Sequence, residues 1–193
     1  MIVNVGAGTT SVAVVTMGSI AVAKSAPVGG NNMDKKIKDY LKSVKGIAVG
    51  RLTAQDLKHT LAGAKVRSEA IAAVAKGKDM GDGMPQFFEV TAQEINYALR
   101  DIIDEICKVI VGVLEITPPE LVKDITDDGI FLCGGVSNMY GLDKYIEEAT
   151  GIKVHIPGNV TDAVALGCLR ALSEENYLKQ NSYHFVTLET LNL

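Results

Sequence analysis

Proline is scarce, cysteine scarcer, and no stretch of the chain stays apolar for long. Five prolines in 193 residues, with 47% hydrophobic residues, exclude a proline-rich disordered chain and leave a globular protein of one large domain or two small lobes. The three cysteines, Cys107, Cys133 and Cys168, lie far apart and form no C-x-x-C pair. Each sits in an apolar stretch, so all three are expected as buried small hydrophobes in a reducing compartment. His59, His155 and His184 are equally scattered, without H-E-x-x-H or other metal-ligand spacing, and no protein-ligated metal is expected. Basic residues are not in excess. The formal charge of -4 argues against a general nucleic-acid binder and leaves a local basic patch open. No basic segment followed by an apolar run opens the chain, and runs such as residues 109–114 fall far short of the roughly 18 residues of a membrane span. A soluble, cytoplasmic protein is expected. Met1 leads straight into a strand with nothing before it to pair, which suggests a shortened reading frame or a piece of a longer protein.

What is present is alternation. Residues 1–26 read as a β-meander: Ile2-Val3-Asn4-Val5, a tight turn at Gly6-Ala7-Gly8, a β-branched strand over 11–16, a turn at Met17-Gly18-Ser19 and a return over 20–25. This strand, glycine turn, strand order differs from Rossmann and Walker loops, which run from strand into helix. Helices are predicted over 33–44 and from Thr53, with Thr53 as N-cap and Asp56 in the first turn. Residues 76–85, rich in glycine and charge, read as a loop before a strand at 87–90. Thr91 and Glu94 fit a capping box for the clearest helix, whose Ile95, Leu99, Ile102, Ile106, Val109 and Val113 make a core stripe. Thr117-Pro118-Pro119 ends it, and a short helix follows over 120–125. A strand over 129–133 then enters Gly134-Gly135, a helix over 141–149 ends at Gly151, and a strand at 152–156 precedes a helix over 162–172 capped by Thr161. The tail from residue 173, with a β-prone run at 183–188, finds no place in this order. Interleaved strands and helices make the class α/β.

Three segments carry candidate chemistry. Asn4-Val5-Gly6-Ala7-Gly8-Thr9-Thr10 puts glycines and hydroxyls at a hairpin tip, where several N–H groups can converge on an anion. An ordinary glycine turn would read the same. Gly134-Gly135-Val136-Ser137-Asn138 joins a buried strand to a helix, where glycines let a flat ring approach and helix-start N–H groups can face a phosphate. A tight strand-to-helix turn is the plain alternative. Gln55, Lys58 and His59 share one helix face, a polar edge suited to a ribose or base, or else a solvated surface.

Together these segments resemble the second half of the actin, sugar-kinase and chaperone ATPase superfamily, and most closely the MreB family of bacterial actin-like proteins. Asn4 to Thr10 stands where that family has its second phosphate loop. Val28-Gly29-Gly30-Asn31-Asn32-Met33-Asp34 and Thr53-Ala54-Gln55-Asp56-Leu57-Lys58 resemble its V-G-G-D-E-M-D segment and nucleoside helix, and Thr117-Pro118-Pro119-Glu120-Leu121 is intact. Gly129-Ile130-Phe131-Leu132-Cys133-Gly134-Gly135-Val136 resembles its adenosine loop. Chaperones and sugar kinases match less well, because Thr117 to Leu121 and residues 76–85 fit MreB better.

The resemblance implies an RNase-H-like actin-type core, a mixed sheet flanked by helices, over residues 1–30 and 91–193, with a smaller α/β subdomain inserted over 31–90. It implies ATP or ADP with Mg²⁺ held mainly through nucleotide and water. The nucleotide-binding positions would be Gly6, Ala7, Gly8, Thr9, Thr10, Gly30, Gln55, Asp56, Leu57, Lys58, His59, Gly134, Gly135, Val136 and Ser137. It further implies filaments with itself or full-length MreB-like protomers, cell-shape control, and only indirect membrane association. Asn4 replaces the family's aspartate, Asn31 an aspartate, Gln55 a glutamate and Val136 a glycine, so hydrolysis is expected to be weak or absent. A pseudo-ATPase assembly module that ignores nucleotide is the alternative. The family's first phosphate loop lies in a half of the protein that has no counterpart in this sequence.

Overall fold

The computed structural model describes residues 1–173; the β-prone run at 183–188 lies outside them. Period-two apolar patterning folds the start into β1 (Ile2–Val5), β2 (Thr10–Thr16) and β3 (Ser19–Ala26). There follow α1 (Gly30–Val44), β4 (Ile47–Ala48), α2 (Arg51–Leu61), β5 (Ala72–Asp79) and β6 (Pro85–Thr91). The chain continues through α3 (Ala92–Leu114), α4 (Pro119–Asp128), β7 (Ile130–Cys133), a 3₁₀ turn (Gly135–Asn138), α5 (Leu142–Thr150), β8 (Val154–His155) and α6 (Ala163–Ser173).

Two sheets result. The larger has the order β3-β2-β1-β7-β8, and the smaller β4-β5-β6. β1 runs antiparallel to β2 and parallel to β7, so the sheet is mixed. Val3, Val5, Val12, Val14, Ile130 and Leu132 point to one face and are buried, and α3 packs against β2 and β3. The residues between them, Ile2, Val15 and Phe131, are nearly half exposed on the other face.

α3 is the clearest success of periodicity. Its N-cap is Thr91: Glu94 N–H donates to Thr91 Oγ1 at 3.3 Å, and Thr91 N–H to Glu94 Oε2 at 2.8 Å. The stripe from Ile95 to Val113 is buried throughout. Burial pushes the Glu94 carboxyl up, but hydrogen bonds from Lys45 and Thr91 outweigh it and hold it below the ordinary value.

Several expectations need correction. α1 begins at Gly30 rather than residue 33, because N–H groups of its first turn dock on the β1–β2 turn. Thr53 is not a cap: α2 starts at Arg51 behind Gly50, which places Asp56 beyond the first turn. Residues 76–79 are strand, not loop, since β5 pairs with β6 from Ala72↔Thr91 to Lys78↔Pro85; only 80–84 form the turn. β8 is two residues long, shorter than the stretch 152–156. α6 starts at Ala163 and buries none of its residues, so Cys168 is exposed, unlike Cys107 and Cys133. Burial pushes the Cys107 thiol up to about 11, away from reactivity. Among the described residues no helix is long and apolar enough to cross a membrane.

Candidate functional site

The site begins with a backbone clasp. Gly30 N–H donates to Gly6 O at 3.1 Å and Asn31 N–H to Ala7 O at 2.7 Å, so the start of α1 holds the β1–β2 turn by its carbonyls. Gly29 has to be glycine here: a Cβ would stand 2.6 Å from Gly6 O and 3.0 Å from Ala7 O. Gly134 is constrained twice over, by φ +90° and by Val5 O and Asn4 Oδ1, into which any Cβ would run.

From this clasp the separated segments converge. A Cβ on Gly30 would lie 3.2 Å from Lys58 Nζ, 3.5 Å from Val136 Cγ2 and 3.6 Å from Ala7 Cα. The hairpin tip, α1, α2 and the 3₁₀ turn thus meet at one point. They enclose a cavity of about 600 Å³, lined by Gly6, Ala7, Gly30, Gln55, Lys58, His59, Gly135 and Val136 among the expected positions. That volume falls within the range of small-molecule sites.

Other expected positions do not reach it. Thr10 is fully buried, its hydroxyl donating to Val28 O at 2.9 Å, and Ser137 is fully buried with its Oγ donating to Gly134 O at 2.6 Å. Both hydroxyls brace loops. Leu57 turns into the core and Asp56 to solvent, as one helix face cannot hold the five consecutive residues 55–59. Gly8 and Thr9 are exposed at the tip, and Gly134 is wedged beneath the turn; none of the three lines the cavity. Asn4 sits in β1 with its amide against Gly134 and does not line it either. The N–H of Gly6 is taken inside the turn, donating to Thr9 O at 2.9 Å.

Sequence reasoning missed the rest of the lining: Met33, Ala62, Arg67, Met139, Tyr140 and Thr161, with Asn138 quoted in its segment but not assigned. Met139 and Tyr140 were findable, since they directly follow the Gly134–Asn138 turn. Arg67 carried no local signal. Among the described residues the lining holds Lys58 and Arg67 and no aspartate or glutamate, while Asp34 behind it offsets the charge of Lys58. Lys58 is steadied from outside the lining. Its Nζ lies 2.7 Å from Asp34 Oδ1, an ion pair with both side chains almost fully buried, and donates to Gly30 O at 3.1 Å. A second, larger groove of about 750 Å³ between β3, α3 and α5 contains none of the expected residues.

A family model described as MreB/Mbl protein matches residues 1–180. The chain belongs to the MreB/Mbl family. The cell shape-determining protein Mbl of Bacillus subtilis is 36% identical over 169 residues, which cover 86% of this chain and 50% of Mbl. The crystal structure of MreB5 of Spiroplasma citri bound to AMPPNP superposes with a TM-score of 0.88 at 29% identity, covering 94% of this chain and 55% of that one. The ADP-bound form of the same protein gives 0.87 at 30% identity, covering 95% and 55%. The fold is therefore actin-type, a mixed α/β architecture. The chain spans about half the length of the curated MreB/Mbl relatives it matches.

Proposed function

We propose that this chain is the second nucleotide-binding lobe of an MreB-like filament protein, gripping ATP or ADP along the cavity wall. On this reading residues 31–90 form a small lobe set into a core of 1–30 and 91–193, and the nucleotide lies where they meet. The convergence of Ala7, Lys58 and Val136 around Gly30 carries it. Backbone around Gly6, Ala7 and Gly30 leaves room for phosphates, Lys58 brings an ammonium donor balanced by Asp34, and Gln55 and His59 offer polar contacts to ribose. With no carboxylate in the lining among the described residues, Mg²⁺ would be carried by phosphate oxygens and water. Phosphoryl transfer rests on positioning and on metal-assisted charge stabilisation. With Asn4 packed on Gly134 in place of an acid, this lobe binds and orients but turns over weakly or not at all. Its place would be cytoplasmic filaments of itself or MreB-like protomers that act in cell shape, with membrane contact only indirect.

Isothermal titration of the chain with Mg-ATP tests this. Binding heat and slowed amide exchange at residues 6–10 and 134–137 are expected; absence of both would remove the nucleotide reading.

The alternative is an assembly module that keeps the fold and ignores nucleotide. The internally paired Gly6 and Gly30 N–H groups favour it, because those donors are not free for phosphate. Joining the chain to an MreB first half and restoring Asn4→Asp and Gln55→Glu separates the two. Polymerisation unchanged by the reversions and by ATP would select the module.

A further inference from the structure

The last helix described, α6, buries none of its residues, although Arg170 is its one charged side chain and the rest is apolar or small. Val164 is 58% exposed, Leu166 49%, Leu169 62% and Leu172 68%. A helix that is apolar all round is ordinarily buried. Gly167 points the same way. It sits inside the helix, where glycine costs about 1 kcal/mol against alanine, and a Cβ there would meet nothing within 4 Å among the described residues. No described neighbour needs that gap, so it serves the approach of something outside the fold. The larger sheet is bare as well. Ile2, Val15 and Phe131 are nearly half exposed on its second face. Yet β1, β7 and β8 run parallel, and parallel strands are ordinarily covered on both faces.

We infer that α6 and this bare sheet face form the interface of a two-fold dimer, with a second copy of this chain as the occupant. Three observations select a copy. The exposed side chains named here carry no charge, so the surface needs no oppositely charged partner and can face itself. Covering them would take several hundred Å² of each copy out of water, the scale of the roughly 800 Å² per partner in a stable interface. The matched region is 50% of Mbl, so two copies make up about one relative and supply the second apolar body that one copy lacks. Such a pair is closed by its symmetry and differs from the head-to-tail contacts that extend a filament. It stands apart from the nucleotide reading, because none of these residues lines the cavity.

The test is sedimentation equilibrium of the full chain, wild type, Leu169→Arg and Gly167→Leu. Wild type is expected to be a dimer at micromolar concentrations. Leu169→Arg puts a charge into the interface and should raise the dissociation constant about tenfold or more. Gly167→Leu adds apolar surface and favours the helix, yet should weaken the dimer by a similar factor because it blocks close approach. Both positions are exposed in the single chain, so neither variant should lose the fold, which circular dichroism checks. Tighter association of Gly167→Leu would mark unspecific adhesion and overturn the inference. A monomeric wild type would overturn it too. Amide exchange over residues 163–173 then tells what covers the helix: another part of the same chain if it is slow in the monomer, an MreB first half if it slows only when that half is added.

Discussion

Two parts of the cavity wall achieve order by opposite means. At the clasp, Gly29 and Gly134 bring backbone against backbone, and Gly30 leaves room for the side chains of Lys58 and Val136. Beside Ala62, Arg67 stacks on Tyr140 and precision comes from side chains. Between them the buried Asp34–Lys58 pair belongs to both, a side-chain contact that also reaches the Gly30 carbonyl. A backbone clasp tolerates almost no substitution but needs no partner side chain. A side-chain platform tolerates conservative change and fails when a partner is lost.

Breaking the ion pair should have the largest effect. Lys58→Met leaves Asp34 buried without its countercharge and should destabilise the chain by about 4 kcal/mol in urea unfolding. Adding Asp34→Asn should recover most of that. A double variant no more stable than the single one would show that the pair is not what holds the site together. Gly134→Ala comes next, at about 3 kcal/mol, from a left-handed backbone and a collision with the Val5 carbonyl. A loss under 1 kcal/mol would mean that the clasp can give way. Away from both parts, Thr91→Ala removes the α3 cap and should lose about 1 kcal/mol.

The Glu94 partner of that cap titrates in a definite sense. Its folded carboxyl lies below the ordinary 4.5, so its stabilising effect is complete above that pH and fades as acid takes the pH through the lower folded value. Lys45→Met, which removes the strongest of the contacts that lower it, should therefore flatten the acid limb of the stability profile. An unchanged limb would place the acid sensitivity elsewhere.

The same contrast decides what could be read beforehand. The glycine segments announced themselves because a backbone constraint is local: only glycine tolerates the approach at 29 and the dihedral at 134. The α3 stripe was legible for a similar reason, since a helix repeats its burial every turn. Arg67 and Tyr140 are distant in sequence and brought together only by the fold, and nothing around either residue signals the other. Asp56 and Leu57 were carried along with a motif, and helix geometry then turned one to water and the other into the core. Lysine, glycine and aspartate are poor strand formers, so residues 76–79 read as loop in the sequence. Pairing with β6 overrode that preference, with Gly77 lying close against Ile47 and Phe88.

One consequence follows from the carbonyls of Gly6 and Ala7 being held by amides at the start of α1. Two backbone hydrogen bonds join the hairpin tip to that helix, and Asp34, one turn along, ties the same helix to Lys58 of α2. A push of an ångström at the turn would be transmitted as a tilt of two helices rather than absorbed by a flexible loop.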